Sequence, residues 1–388
     1  MVSGEAKLVI DLGNSETRVK TIFGKNAKGD PKCRLSFLRN RFGIIPSAKV
    51  DMYRDGNVYK EETSRIFKLD EDFYCTGDIC DTEFGSTAIR PTALEKKYQS
   101  FATKLAIINA LCQGYEDVAY LTDSDIASLD ITWKVTLLLP PQDIDLGAKK
   151  LAEMAKGIKE IEFLMPDIKK EIIVNGVNIF PEGFCALIGV LFDESGSLRE
   201  EYKKLTDEDT YTLIIDIGAG TTDFVMSKGK NIISTSRFTR EIGGNNVHQR
   251  VRRILKEKGL SLSDTIVRKG CETGVVKNGS KAYNITKDIA VSKADVAKQL
   301  VDAIQEFFED NMLPIISINN LLICGGGAEY SENQEIEPIS KYVIEYMKQL
   351  SPEIELVDIP EVLVNDESKK SPRLLNILGA GVLSTIDN

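Results

Sequence analysis

The chain has 388 residues, a length that accommodates two or more domains with cores of their own. Its composition, 42% hydrophobic and 28% charged, is typical of globular proteins, and its net charge of −10 argues against non-specific binding to nucleic acid. No stretch approaches the ~18 apolar residues of a membrane span, and the first residues lack the apolar region of a signal peptide. We therefore expect a cytoplasmic protein, neither exported nor inserted in a membrane. The seven scattered cysteines predict reduced, mostly buried thiols.

The first half of the sequence predicts strands alternating with helices. The signals are apolar residues at helical spacing and apolar runs bounded by Gly or Pro. Residues 26–72 carry neither signal clearly and receive no assignment. In chain order the predicted elements are a hairpin at 7–23, a helix at 88–111 ended by Gly114, a strand at 131–139, a helix at 143–161, strands at 161–165 and 171–174, a helix that Pro181 begins and that runs to 192, and a charged connector at 193–209.

The second half predicts the same architecture again. It opens on a hairpin and closes on an apolar helix. Strands alternating with helices in two parallel halves predict an α/β protein with a cleft between two lobes. After the hairpin, the predicted elements are a strand at 231–234, a basic helix at 247–258, an amphipathic helix at 291–308, a buried strand at 321–324, a helix at 339–350, a strand at 354–356 and a helix at 374–386.

The two hairpins carry the same motif. Residues 8–19 align without gaps onto residues 213–224, and each copy places a carboxylate, Asp11 or Asp216, before a turn rich in Gly and hydroxyl residues. Such a turn offers backbone N–H groups to an anion and lets a phosphate approach closely. The aspartate can orient the waters around Mg²⁺. Two such hairpins facing each other would hold a nucleoside triphosphate from both sides.

The order of these motifs resembles the actin-like ATPase superfamily, which includes actin, the DnaK-type chaperones and sugar kinases. The closest resemblance is to bacterial actin-like proteins of the ParM (plasmid-segregation) type. It implies an α/β, actin-like ATPase fold of two related lobes, each a β-sheet flanked by helices, with the nucleotide between them. Lobe I would comprise residues 1–182 plus 366–388, and lobe II residues 183–365.

The resemblance also assigns site residues. Asp11 and Asp216 match the carboxylates near Mg²⁺, which they would hold through water. The family often has a Lys seven residues after the first of these; here that position is Arg18, and Lys20 lies two residues on, so either could reach the phosphates. The phosphate-contacting turns would contain Gly13, Asn14, Ser15 and Thr17 in the first copy, and Gly218, Gly220, Thr221 and Thr222 in the second. Contacts to the remainder of the nucleotide would come from Gly243, Gly244, Lys269, Glu272, Gly325, Gly326, Gly327 and Ala328.

Glu182 matches the acid that orients the attacking water in ParM-like proteins. A carboxylate at a helix N-terminus would stay ionised, since the helix dipole favours its charge. It could then accept a hydrogen bond from water in line with the γ-phosphate. The alternative is that Glu182 only caps its helix. Three further features receive simpler interpretations. His248 and the 250–253 basic cluster are expected to face solvent, with a filament contact as the alternative for the cluster, and Trp133 is expected in the core.

The resemblance implies an ATP hydrolase, with GTP as the alternative nucleotide, that uses Mg²⁺ and forms dynamic filaments. Its partners would be other copies of itself and a ParR-like DNA-binding adaptor, with no direct contact to nucleic acid or membrane. Two alternatives remain within the superfamily: a sugar or acid kinase, for which no extra Asp-containing motif is evident, and a cell-shape or cell-division actin homologue, for which no terminal amphipathic helix is evident. A chaperone would need a substrate domain after the final helix, and none is expected.

Overall fold

The computed structural model describes residues 1–386 except 28, 56–58, 60–63, 86, 93–94, 166, 311–317, 329–332, 334 and 366. The predicted lobe boundary at 366 and the last two residues lie outside this part. The strands are β1 Val2–Leu12, β2 Glu16–Lys25, β3 Pro31–Arg39, β4 Gly43–Ile45, β5 Ser64–Leu69, β6 Asp72–Gly77, β7 Leu129–Leu139, β8 Glu160–Met165, β9 Asp167–Glu171, β10 Ile173–Pro181, β11 Tyr211–Ile217, β12 Thr222–Lys228, β13 Asn231–Arg240, β14 Val275–Asn278, β15 Lys281–Asn284, β16 Asn320–Cys324, β17 Glu355–Leu356, β18 Val362–Val364 and β19 Glu367–Lys369. The α-helices are α1 Val50–Asp55, α2 Phe101–Thr122, α3 Ile144–Lys156, α4 Phe184–Leu191, α5 Gly244–Glu257, α6 Asp264–Thr273, α7 Thr286–Asp310, α8 Ile339–Leu350 and α9 Leu375–Ile386.

Two five-stranded sheets form the centres of the two lobes, and they have the same topology. The first has the order β3-β2-β1-β7-β10 and the second the order β13-β12-β11-β16-β17. In each sheet the first three strands are antiparallel and the last two run parallel to the central strand. Each central strand, β1 or β11, is the first strand of one predicted hairpin. The predicted α/β fold of two related lobes is therefore confirmed.

A third sheet, of order β4-β6-β5-β8-β9, extends the first lobe. Three of its strands come from residues 43–77, most of which fall in the segment that received no assignment from sequence. These strands are short and do not alternate cleanly between apolar and polar residues, so the period of two is hard to read. The predicted strand at 161–165 is confirmed as β8 and pairs with β5.

Helices α4 and α9 pack against each other between the two central sheets. A Cβ atom on Gly189 of α4 would lie 2.5 Å from the main-chain oxygen of Leu375, and one on Gly379 of α9 would collide with the main-chain oxygen of Cys185. The two backbones therefore approach as closely as glycine permits. The pair shares apolar contacts with both sheets. This contact fixes where the first residues of both helices point.

Two predicted helix starts are wrong. The helix predicted at 88–111 is α2, which begins after Ser100, whose side chain accepts a hydrogen bond from the Thr103 N–H. It continues through Gly114, because the missing side chain there makes room for the buried ring of Trp133. The helix predicted from Pro181 starts at Phe184, since Pro181 ends strand β10 instead.

Most other predicted elements are confirmed: α8 has its predicted bounds, and β8, β16 and α9 lie within one residue of theirs. The strand predicted at 171–174 spans the end of β9 and the start of β10, and the strand predicted at 231–234 is longer in the structure, as β13. Trp133 is fully buried, as predicted. All seven cysteines are free, and all but Cys33 are buried. None of the described helices combines the length and apolar character needed to cross a membrane.

Candidate functional site

The two predicted turns have the same backbone geometry and line one cleft between the lobes. The Gly13 N–H donates to the Glu16 main-chain oxygen at 3.1 Å, and the Gly218 N–H donates to the Thr221 main-chain oxygen at 2.8 Å. A Cβ on Gly13 would lie 2.6 Å from that Glu16 oxygen, so the tight turn requires glycine. Both turns contribute lining residues to the cleft. The gap-free sequence repeat thus corresponds to a repeat in three dimensions.

The strand ends beside these turns carry the charged groups of the site. Asp11 stands opposite Arg18 in the first hairpin, and the Arg18 Nη1 donates to Asp11 Oδ2 at 2.6 Å. In the second hairpin Asp216 stands opposite Asp223, and both are buried. Burial lowers the pKa of Arg18, but the carboxylates of Asp11 and Glu16 raise it, and the net shift is upward. Arg18 therefore remains a cation in the cleft.

Glu182 lies in the same cleft, between the end of β10 and the start of α4. Its Oε1 accepts a hydrogen bond from Lys97 Nζ at 2.5 Å. Burial, together with the charges of Asp223, Asp11 and Asp216, raises the pKa of Glu182 to about 8, and Lys97 opposes this shift. The expectation that the helix dipole keeps this carboxylate ionised is therefore wrong, because burial among like charges outweighs the dipole.

Asn376, near the start of α9, connects the second turn to the start of α4. Its side-chain amide donates to Asp216 Oδ2 at 2.5 Å, and its Oδ1 accepts from the Gly183 N–H at 3.0 Å. Gly183 has φ +74°, a backbone conformation that favours glycine, and this conformation directs its N–H toward Asn376. Since Gly183 follows Glu182 directly, Asn376 holds two acidic residues of the site in a fixed relation.

Four acidic side chains meet in this cleft: Asp11, Glu182, Asp216 and Asp223. Burial, together with the neighbouring carboxylates, raises the pKa of Asp216 and raises that of Asp223 to about 7. Such mutual repulsion is relieved by a cation, and oxygen donors are those that Mg²⁺ prefers. Among the described residues, no three His, Cys, Asp or Glu side chains are arranged to ligate a metal directly.

Several residues from the second half of the chain also line the cleft. Gly325, Gly326 and Gly327, directly after β16, all line it. Gly325 has φ +86°, and a Cβ there would collide with the Asp216 carboxylate. Gly244 and Glu272 also line it, whereas Gly243 packs against the second turn, where a Cβ would lie 2.7 Å from the Gly218 main-chain oxygen.

Several predicted contact residues do not line the cleft. Lys20 is buried away from it, where its Nζ pairs with Glu194 Oε1 at 2.6 Å, so of these two predicted cations only Arg18 lines the cleft. Thr17 donates to Asn40 Oδ1 at 2.8 Å, and Thr222 donates to the Ile242 main-chain oxygen at 2.6 Å. The other residues outside the lining are Lys269, which is exposed, Ala328, which is buried, and Gly220, which faces an adjoining cavity.

Sequence reasoning missed several residues that do line the cleft: Lys97, Asp223, Arg268, Arg373 and Asn376. His248 also lines it and is only partly exposed, which corrects the solvent-facing interpretation. Burial, with Arg268 nearby, lowers its pKa to about 4, so it is neutral at pH 7. Among these residues, only Asn376 could have been noticed in the sequence, because it is a lone amide at the start of an otherwise apolar helix.

Comparison with known proteins supports the fold derived above. Residues 214–334 match the family model of the C-terminal domain of archaeal MreB-like actin homologues. The archaeal actin homologue Ta0583, also solved in complex with ADP, is 15% identical with a TM-score of 0.69, covering 99% of this chain and 100% of its own. The actin-like protein Alp7A is 14% identical, with a TM-score of 0.72 and coverages of 100% and 97%.

The ParM protein in the structure of a 15-stranded filament from Clostridium botulinum is 16% identical, with a TM-score of 0.64, covering 98% of this chain and 99% of its own. No curated protein matches the sequence. At these identities the structural similarity establishes the fold. The chain has the actin-like fold, and the resemblance to the actin-like superfamily, ParM proteins included, is confirmed at that level.

Proposed function

We propose that this protein is an ATPase that binds ATP with Mg²⁺ between its two turns, hydrolyses it and assembles into nucleotide-dependent filaments. The observation that carries the proposal is the convergence of two geometrically matched Gly turns, each behind a buried aspartate, on one cleft that also contains Glu182. A site of this composition suits phosphoryl transfer, where positioning and charge stabilisation do most of the catalytic work. That the known archaeal relative binds ADP is consistent with it.

Within the cleft, backbone N–H groups of the turns at 13–15 and 218–221 would receive the phosphate oxygens. Arg18 would add a fixed cation, since it stays charged beside Asp11. Asp11 and Asp216 would hold Mg²⁺ through bound waters, as their buried oxygens suit a hard cation. When bound, Mg²⁺ supplies positive charge that neutralises the phosphate oxygens.

Glu182 would orient the attacking water and accept its proton while the water oxygen bonds to the γ-phosphorus and the bond to the β-phosphate oxygen breaks. Lys97 would keep the carboxylate in place and favour its ionised form. Asn376 would act as a positioning residue, because it connects Asp216 to the residue after Glu182. Gly325, Gly326, Gly327, Gly244 and Glu272 would contact the nucleoside.

Filament assembly is proposed from the fold and from the polymers that similar proteins form. A heterologous contact between identical subunits repeats indefinitely when its rotation does not close. The nucleotide would lie between the lobes, so loss of the γ-phosphate can change lobe closure and weaken the subunit contact. The proposed cellular role is plasmid segregation in the cytoplasm through a ParR-like DNA-binding adaptor. Free cysteines throughout are consistent with that compartment.

The decisive experiment is sedimentation with ATP and Mg²⁺ across a range of protein concentrations. We expect polymer above a critical concentration with ATP, little polymer with ADP, and slow disassembly in Glu182→Ala, whose hydrolysis should fall by about 10²–10⁴ with ATP binding unchanged. Glu208→Ala, which changes an exposed glutamate outside the cleft, is the control and should behave like the wild type. Protein that stays monomeric and phosphorylates a sugar or acid would contradict the proposal in favour of the kinase alternative.

A further inference from the structure

A second cavity, of about 500 Å³, adjoins the nucleotide cleft at the tips of the two turns. Asn14 and Ser15 of the first turn and Ala219 of the second line both spaces, as do Asn245 and Arg268 of lobe II. The two cavities are therefore neighbours, and the turns proposed to hold the terminal phosphates lie between them. An anion released between the turns has this space next to it.

Acidic side chains outnumber basic ones in the cleft, whereas basic side chains outnumber acidic ones in the second cavity. In the cleft, six acidic side chains stand against four basic ones, an arrangement that suits a polyphosphate accompanied by a metal ion. The second cavity has four arginines against two aspartates, on a chain whose net charge is −10. The cleft's charged residues are Arg18, Lys97, Arg268, Arg373, Asp11, Glu16, Glu182, Asp216, Asp223 and Glu272. Those of the second cavity are Arg39, Arg41, Arg90, Arg268, Asp81 and Asp264.

The guanidinium groups in the second cavity have more N–H donors than their described partners accept. Arg39 and Arg41 both pair with the carboxylate of Asp81, Arg39 also lies 3.7 Å from Asp78 Oδ1, and Arg268 pairs with Asp264 at 2.6 Å. Arg90 donates to the Gly85 main-chain oxygen at 2.7 Å and forms an ion pair with none of the described carboxylates. Each guanidinium carries five N–H donors in a planar fork that matches the oxygens of phosphate. An anion without a metal ion would satisfy these donors.

We propose that this arginine-lined cavity is a binding site for orthophosphate. The proposal rests on the ATPase function above, because hydrolysis in the cleft would generate orthophosphate beside the shared wall. The phosphate product is then a dianion that no longer needs the carboxylate-held metal, and it moves from a carboxylate surplus to an arginine surplus. Arg41 and Arg90 are the principal ligands, and Arg268, which lines both cavities, guides the anion between them.

The first test measures binding of radiolabelled orthophosphate to the ADP-bound protein by equilibrium dialysis at low ionic strength, where screening is weak. The variant is Arg41→Gln with Arg90→Gln. The control is Arg252→Gln with Arg253→Gln, which removes the same number of positive charges from exposed positions outside both cavities. We expect at least about a tenfold loss of phosphate affinity in the cavity variant, since charge-assisted hydrogen bonds are lost, and less than about a twofold loss in the control.

The second test finds where the phosphate comes from. In a single turnover, chemical quench reports hydrolysis and a fluorescent phosphate sensor reports release. A delay between the two that shortens in Arg41→Gln with Arg90→Gln assigns the site to phosphate made in the cleft. Weakened equilibrium binding with unchanged release assigns it to phosphate from solution. Both results support the site.

Equal phosphate affinity in the wild type and the cavity variant, or no phosphate binding by the wild type, would overturn this inference. Titration with a fluorescent ATP analogue separates the two proposals. Failure of the wild type to bind that analogue refutes the ATPase function, whereas normal ATP binding with arginine-independent phosphate affinity refutes only the second site. If the double variant does not fold, Arg90→Gln alone carries the test, because that side chain is exposed and its one hydrogen bond to the described residues is to a main-chain carbonyl.

Discussion

The ionisation of Glu182 should set the pH dependence of hydrolysis. Only the ionised carboxylate can take a proton from the attacking water, and burial among three aspartates raises its pKa to about 8. At pH 7 about one tenth of the molecules then have the ionised form. We expect the hydrolysis rate to rise roughly tenfold between pH 7 and pH 9 and to level off above that.

Removing Lys97 should move this rise to higher pH. Its Nζ lies 2.5 Å from Glu182 Oε1 and lowers the pKa of that carboxyl. In Lys97→Met the pKa of Glu182 rises, and each unit of increase, about 1.4 kcal/mol, lowers the ionised fraction at pH 7 tenfold. We expect at least about a tenfold slower rate at pH 7, partly recovered by raising the pH. Asp223→Asn should shift the rise to lower pH, because Asp223 raises the pKa of Glu182.

The assay is kcat with saturating ATP and Mg²⁺ from about pH 6 to about pH 10. Lys96→Met is the matched control: the adjacent lysine pairs with Asp143 at 2.8 Å and reaches the Glu182 cluster only through its attraction to Asp223, so its loss should shift the profile much less than the loss of Lys97. Lys97→Arg retains the charge and should retain most of the rate. If the Lys97→Met profile has the wild-type midpoint, Lys97 does not act through the ionisation of Glu182, and the reasoning is refuted.

Three further predictions concern the remainder of the site. Asp11→Ala and Asp216→Ala should each abolish most Mg²⁺-dependent turnover with the fold retained, and normal turnover in both would contradict the two-turn assignment. Arg18→Gln should weaken ATP binding about tenfold or more, while Lys20→Gln should not, as fluorescent-nucleotide titration would measure. Asn376→Leu should lower the free energy of unfolding by about 2–4 kcal/mol, because it leaves a buried carboxylate oxygen and a main-chain N–H without their partner. An unchanged urea midpoint would refute this.

The parts of the site that could be predicted from sequence are local ones. A turn between two strands forms within about ten residues, so the local sequence around Asp11 and Asp216 was enough to predict the geometry of each turn. Glu182 was found because it precedes a helix in a known order of motifs. Lys97 and Asn376 reach the cleft only through tertiary packing, the first from a 3₁₀ turn before α2 and the second through the close α4–α9 contact. The lone amide of Asn376 stands out in its apolar helix, but nothing in the sequence around either residue determines where its side chain lies in the fold.

The matched threonines illustrate how an accurate alignment can still misassign a role. Thr17 and Thr222 occupy equivalent positions after the two turns, and both were expected to contact phosphate. Both are fully buried, and each donates its hydroxyl to an oxygen of its own lobe, on Asn40 or on Ile242. The hydroxyl that recurs in both copies therefore stabilises the hairpin. Similarity between the copies identified the shared backbone correctly, but a residue that supports the backbone is repeated as faithfully as one that binds a ligand.

The positions where the two hairpins differ are the ones that make the cleft chemically asymmetric. Opposite Asp11 in the first register stands Arg18, and opposite Asp216 in the second stands Asp223. With the same turn hydrogen bond and the same strand pairing, the first hairpin thus presents an ion pair and the second a pair of acids. A phosphate chain held between them meets a cation on one side, while the acids on the other side add to the charge that raises the pKa of Glu182. The shared residues form the walls of the cleft, and the residues at these two differing positions give its two sides different charges.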